Sequence, residues 1–159
     1  MSAAAEGVRR AEPADVGRLA ELAAAAVEEL SAGRGGAGWA RTTARRAPFE
    51  PAFESAIGAD DHLVLVGTLD GTPMGYAVAR VEALPDGGRL GVIDDLYVDP
   101  GAREVGIGEA MIDAILAWCR AEGCFGVDSL ALPGDRHTKN FFESFGLVAR
   151  AIVVHRSLE

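Results

Sequence analysis

Lysine is almost missing from this chain: among 159 residues only Lys139 is one, and the other basic side chains are arginines. With 24 acidic residues against 15 basic ones the net charge is −9. That balance argues against a nucleic-acid partner, because phosphate contacts need clustered Lys or Arg. Cysteine is scarce as well. Cys119 and Cys124 stand far in sequence from His137 and His155, whereas structural zinc takes four ligands, so no metal is expected and both read as free thiols of a reducing compartment. No apolar run approaches bilayer-spanning length, and MSAAAEGVRR has no leader-type apolar core, so the expected location is the cytoplasm, with no membrane partner. An internal repeat is also lacking.

What is there suits a globular enzyme or binding domain: 49% apolar and 25% charged residues in a length that can bury one core. Residues 1–6 are small and polar and are expected to fray, leaving 7–159 as a single domain. Val8–Ala11 reads as a strand, and Pro13 opens a helix whose apolar spacing runs to Leu30. Ser31–Ala47, with four glycines and four arginines, reads as the least structured part, and Pro48 starts a short helix. His62–Leu69, Pro73–Ala83 and Gly91–Val98 are strands, the first two joined by Asp70-Gly71, a hairpin signal. A helix with Met111, Ile112, Ile115, Trp118 and Cys119 on one face follows. Phe125–Leu132 is a strand ended by Pro133-Gly134, Thr138–Phe145 a helix, and Leu147–Leu158 a last strand. The order β-α-α-β-β-β-α-β-α-β predicts an α+β (α/β) sandwich: a mixed, mostly antiparallel sheet with helices on both faces.

The chain is organised around Arg89–Gly123. Its strand ends at Asp99-Pro100-Gly101, then comes Arg103-x-x-Gly106-x-Gly108, then the helix. Strand, glycine loop and helix start point unpaired main-chain N–H groups and the positive helix end at an anion. The reading is a pyrophosphate cradle made by the amides of Arg103, Glu104, Val105, Gly106, Ile107, Gly108 and Glu109, with the Arg103 charge beside them. The two glycines, lacking Cβ, would let a phosphate come close. A dinucleotide fingerprint would need a small residue where Met111 stands, and a Walker loop would need Lys-Ser or Lys-Thr where Glu109-Ala110 stands.

This loop resembles the acyl-CoA signature Arg/Gln-x-x-Gly-x-Gly/Ala of the GNAT superfamily of N-acyltransferases, and LYVDP before it is similar to that family's central strand. Thr138-Lys-Asn-Phe-Phe-Glu-Ser-Phe-Gly-Leu147 resembles its second recognisable stretch, so the likeness spans about residues 7–158. It implies acetyl-CoA as cofactor and N-acetyl transfer by direct attack of an amine in a ternary complex. It also implies that the strands Gly91–Val98 and Phe125–Leu132 splay apart. Main-chain groups of Leu96, Tyr97 and Val98 would then pair with the pantetheine arm. Asp135, Lys139 and Phe142 are further candidates for the cofactor site, although Asp135 is also placed to cap its helix and Lys139 reads equally as a surface residue.

The chain departs from those relatives where the proton is handled. The tyrosine that often protonates the leaving thiolate aligns with Phe142, and a frequent glutamate base aligns with Val92; neither replacement titrates. The substitutes are Asp94 and Asp95, which should face opposite ways on a period-2 strand, so that at most one enters the cleft. Asp94 shares a face with Val92 and is the candidate base or substrate anchor; the competing reading is that both carboxylates only bond nearby backbone or arginine groups. Tyr97 and His137 are the other catalytic candidates, one as a phenol beside the thioester and one as a near-neutral imidazole, although a core tyrosine and a solvent-facing histidine are the competing readings.

Arg34, Arg41, Arg45 and Arg46 lie in the connection that, by resemblance, covers the acceptor. A basic lid suits an amine, on a small molecule or a protein, that also carries a carboxylate or phosphate. A solvated loop whose arginines pair with surface carboxylates fits the same composition. Two further readings stand beside the enzyme: an acyl-CoA-binding sensor without turnover, and a structural domain. The chain is expected to be a monomer or a homodimer.

Overall fold

The computed structural model describes residues 4–133 and 135–159. Residues 1–3 of the segment expected to fray, and Gly134 of the expected turn, lie outside these. The rest of that segment is ordered. Ala5 donates its N–H to Asp70 Oδ1 at 2.8 Å, and Glu6 already pairs with Leu69.

Five strands form one sheet in chain order, β1 (Glu6–Arg10), β2 (His62–Leu69), β3 (Thr72–Ala83), β4 (Arg89–Val98) and β5 (Gly126–Ser129). The first four pair antiparallel and β5 joins β4 in parallel. Antiparallel neighbours need only a hairpin, and Asp70 and Gly71 supply it with φ of 49° and 78°. The parallel pair needs a crossover, which is the helix α4 (Ile107–Ala121).

Helices cover both faces. α1 (Val16–Ser31) and α3 (Glu50–Ile57) seal one face, where Leu19, Leu22, Phe53, Val66, Tyr76 and Val78 are almost wholly buried. On the other face α4 buries Ile107, Met111, Ile112, Ile115 and Cys119 against β2 and β3. That is the three- and four-residue spacing read from its sequence. Phe142 of α5 (Arg136–Ser144) closes the same core. No helix among the described residues is long and apolar enough to cross a membrane.

Two expectations fail. Ser31–Ala47 is not merely loop: Gly36–Thr42 forms a helix, α2. Glycine-rich composition hid it, because low intrinsic propensity is overridden by packing beside α1. The last strand, Leu147–Leu158, does not form. From Leu147 to Glu159 the chain has no regular structure, and Ile152, Val153 and Val154 are 85–89% exposed. Its β-branched residues have the propensity but no partner strand, and propensity alone does not make a ladder.

Candidate active site

β4 runs on to Val98, but its pairing with β5 stops at Ile93–Ser129. Beyond that point the two strands part, and a cavity of about 380 Å³ lies there. Its walls come from Ile93–Tyr97 of β4, Ser129–Leu132 after β5, Ala26, Val27 and Leu30 of α1, Trp39 of α2, and Phe142 of α5. This is the parting that the resemblance implied. Leu96, Tyr97 and Val98 keep their antiparallel partners on β3 and have no β5 partner. The Val98 carbonyl is already taken, accepting from Arg103 Nε at 2.8 Å.

Asp94 and Asp95 do not face opposite ways. The β3–β4 register slips between Val78 and Ala79: Val78 opposes Asp95 while Ala79 opposes Ile93, leaving Asp94 as an extra residue. Such a bulge puts two successive side chains on one face, and both aspartates line the cavity. No sequence pattern marks this bulge. The two carboxylates differ in surroundings. Asp94 meets Arg80 Nε at 3.2 Å and is about a third exposed. Asp95 is ion-paired with Arg45 and lies against Tyr76. Burial raises the Asp95 carboxyl above its usual range, with Arg45 opposing the rise. The Tyr76 phenol is pushed well above its usual value, by burial first and by the Asp95 charge second.

Three of the four lid arginines, Arg41, Arg45 and Arg46, are engaged within the chain. Arg45 sits 5.1 Å over the Phe53 ring as well as against Asp95. Arg46 donates to the Arg41 carbonyl at 2.8 Å, and Arg41 pairs with Glu159 at 3.2 Å. Sequence reasoning missed Arg80 and Asp128, which also line the cavity. Both lie on strands remote from the motifs, and their only signal is a charge within an otherwise half-buried strand.

The loop that leads into α4 is built on two left-handed residues. Gly106, φ 94°, turns the chain into α4, and Glu104, φ 66°, is also left-handed. Among the described residues, no hydrogen bond to another part of the chain starts from the main-chain N–H of residues 103–109. Ala102 and Ala110, on either side, donate to the carbonyls of Asp99 and Gly106 at 2.9 and 3.0 Å. The amides of Arg103, Glu104, Val105, Gly106, Ile107, Gly108 and Glu109 are thus free for an anion at the helix start. The two glycines differ in what the fold asks of them. Gly106 is needed for its φ, and a Cβ there would point at Glu6, 3.5 Å away; one on Gly108 would meet the Phe141 ring at 3.4 Å.

Arg103 is not free beside the cradle. It holds Glu29 of α1 through both terminal nitrogens, at 2.8 and 2.7 Å, and stacks 5.5 Å over the Tyr97 ring. Tyr97 is buried in the α1-side core, and its phenol is raised by burial first and then by the Glu29 charge. It packs in that core and also reaches the cavity wall. His137 is exposed on the first turn of α5 and is not among the residues lining the cavity. Asp135 caps α5, accepting from the Thr138 N–H at 3.0 Å, and also reaches the cavity wall. Lys139 is exposed and pairs with Glu143 at 3.4 Å. Cys119 is buried, and that burial pushes its thiol up to about 11.

The model of the acetyltransferase (GNAT) family matches residues 21–147. The chain is 30% identical over 132 residues to aminoglycoside N(6′)-acetyltransferase type 1 of Stenotrophomonas maltophilia, covering 78% of this chain and 74% of that protein. It is 42% identical over 74 residues to a mycothiol acetyltransferase of Clavibacter michiganensis subsp. michiganensis, covering 45% of this chain but only 22% of that longer protein. In fold it is similar to the aminoglycoside N-acetyltransferase AAC(6′)-Iy solved in complex with CoA, with a TM-score of 0.72 at 16% identity, covering 99% of this chain and 97% of that one. A loop of free amides at a helix start, a parted parallel strand pair and a family match over most of its length together place this chain in the GNAT acetyltransferase family.

Proposed function

We propose that the chain moves an acetyl group from acetyl-CoA to a primary amine by direct attack, and that the amine belongs to a cationic small molecule. One observation carries the reading: β4 and β5 part at Ile93 and Ser129, with a cavity in the gap and the free α4 amides beyond the end of β4. The residues fit the cofactor. The amides of residues 103–109 suit a diphosphate, and the unpaired β5 side of Leu96 and Tyr97 suits an amide-bearing arm. Bound there, acetyl-CoA supplies the activated thioester carbonyl.

The chain's own groups then have three tasks. A main-chain N–H of β4 polarises the carbonyl. Asp94, about a third exposed at the cavity wall and beside Arg80, anchors the ammonium and takes its proton before attack. Asp95 is a positioning residue, holding Arg45 and thereby the segment after α2 over the cavity. With Phe142 in place of an acid, the thiolate leaves without a side-chain proton donor and is protonated from water.

The wall favours a cationic acceptor over the anion-bearing one that composition suggested. Asp94, Asp95, Asp128 and Asp135 line the cavity with Arg45 and Arg80, and the lid arginines Arg41, Arg45 and Arg46 already have partners in the chain. The 30% identity to an aminoglycoside N(6′)-acetyltransferase supports the same class. A second reading, an acyl-CoA sensor without turnover, is favoured by the inert Val92 and Phe142. Thiol release from acetyl-CoA, measured across polycationic, neutral and phosphate-bearing amines, separates them. Fastest release with polycations supports the proposal. Cofactor binding with release on no amine supports the sensor, and absence of any thermal shift with coenzyme A rejects both.

A further inference from the structure

The end of α4 brings the chain's two cysteines together. Gly123, with φ 74°, turns the backbone left-handed just past the helix. Its N–H reaches the Arg120 carbonyl at 3.1 Å, and the Cys124 N–H reaches the Cys119 carbonyl at 3.0 Å. These two bonds make a Schellman closure, in which the residue after the left-handed glycine folds its side chain onto the third-to-last residue of the helix. An apolar pair often fills those two places. Here both are thiols, in hydrogen-bond contact with each other and neither of them bridged.

The two sulfurs differ in access. Cys119 is 1% exposed. Its sulfur fills the notch over Gly91, where a Cβ would lie 2.5 Å from it and 3.3 Å from Val127. Cys124 is only partly buried, on the margin of the same apolar cluster. The pair also stands apart from the acetyl-transfer machinery. It lies at the far end of a 15-residue helix from the free amides, roughly 20 Å away at 1.5 Å per residue.

We propose that Cys124 and Cys119 are an oxidative modification site: a hydroperoxide converts them into an intrachain disulfide that fastens the end of α4 to the start of β5. The Cys124 thiolate attacks one peroxide oxygen and breaks the O–O bond, which leaves a sulfenic acid on Cys124 and releases hydroxide. The Cys119 sulfur then displaces the sulfenic oxygen to form the S–S bond, and that oxygen departs as water with the Cys119 proton. Two thiols are oxidised and hydrogen peroxide is reduced to two waters. Burial fixes the order, since Cys119 is screened from solvent while its neighbour is not. One residue after Cys124, the Phe125 N–H bonds the Arg89 carbonyl at 2.9 Å, and Gly126 then opens β5 opposite Leu90. The bridge therefore pins the paired half of β4 and β5 against α4.

Reduced full-length protein, cleared of reductant and treated with hydrogen peroxide, tests this. The expected product is a single chain lighter by two hydrogen atoms, with both thiols closed to iodoacetamide and reopened by dithiothreitol. Trypsin cleaves after Arg120, between the two cysteines, so the bridge should appear as two joined peptides. Hydrogen exchange from Cys119 to Val127 should slow in the bridged protein. Cys119→Ser should stop at a sulfenic acid on Cys124, trapped by dimedone, and Cys124→Ser should leave Cys119 a thiol at the same peroxide dose. Cys124 carried to sulfinic acid beside an unmodified Cys119 would overturn the proposal, as would a bridge between two copies. Oxidation of Cys119 in Cys124→Ser, or unchanged exchange in the bridged chain, overturns it equally.

Discussion

The guanidinium of Arg103, read from sequence as a phosphate anchor, holds the Glu29 carboxylate with both terminal nitrogens, at 2.8 and 2.7 Å. The contact ties the loop before α4 to α1, and the Nε bond to the Val98 carbonyl ties it to the end of β4. Arg103 therefore shapes the cradle as well as charging it. Both partners are more than a third exposed, so the pair is worth at most about 1 kcal/mol. Glu29→Gln is expected to lower the melting temperature only slightly but to weaken coenzyme A binding, because the loop is less firmly held. Isothermal titration checks this; unchanged affinity would show that the loop keeps its shape without Glu29.

Gly106→Val forces a β-branched residue to φ 94°, where an L side chain costs roughly 1–2 kcal/mol. We expect a folded protein of reduced stability that has lost its thermal shift with coenzyme A. Gly108→Ala, whose Cβ would only touch the Phe141 ring at 3.4 Å, should be much milder. Equal loss at both positions would point to phosphate crowding instead of backbone conformation.

Asp94→Asn is expected to lower kcat by about 10²-fold, the scale of a lost general base, with the KM for acetyl-CoA unchanged. Asp95→Asn strands Arg45 in a partly buried site, so its main effect should be a stability loss of about 1–3 kcal/mol. Steady-state kinetics with denaturant melts on the same samples separate the two. A kcat loss confined to Asp95→Asn would exchange their roles.

Acid stability should depend on Asp15. Arg9, bonded at 2.7 Å, holds that carboxyl below its usual value, and the Glu12 N–H bonded to it lowers it further. A depressed folded-state value means stability that is present above the unfolded value of 3.8 and is lost as pH falls through the folded one. The parent should exceed Asp15→Asn in stability near neutrality. The gap should close as pH falls below the usual carboxylate range. A gap constant down to pH 2 would contradict the linkage.

Gly67 marks where α4 rests on β2: a Cβ there would lie 2.4 Å from Ile107 Cγ2 and 3.1 Å from Met111 Sδ. Gly67→Ala is expected to cost about 1–3 kcal/mol by overpacking and to shift the start of α4, weakening coenzyme A binding along with stability. A melt at the parent's midpoint would show that the helix can move aside freely.

Element identity was largely legible because apolar period and turn chemistry are local. Ile112, Ile115 and Cys119 announced a helix face, Asp70-Gly71 a hairpin, and Arg103-x-x-Gly106-x-Gly108 a helix start with free amides. Three features were not legible. The bulge at Asp94 is set by how β3 and β4 register over ten residues, and no single residue type signals it. The α2 helix depends on α1 being there to pack against. The strand after α5 has strand-forming residues yet stays unpaired in one chain, since a ladder requires a second edge.

Local sequence was enough for most of the helices and strands, for which of their faces turn inward, and for a helix start whose main-chain amides have no partner in the chain. Each of these depends on residues within a few positions of one another. Tertiary structure alone decided which charges meet: Arg103 with Glu29 across 74 positions, Arg45 with Asp95 across 50, and both aspartates in one cavity. Such pairings arise from register and packing between distant segments, and a side chain's charge carries no record of the partner it will find.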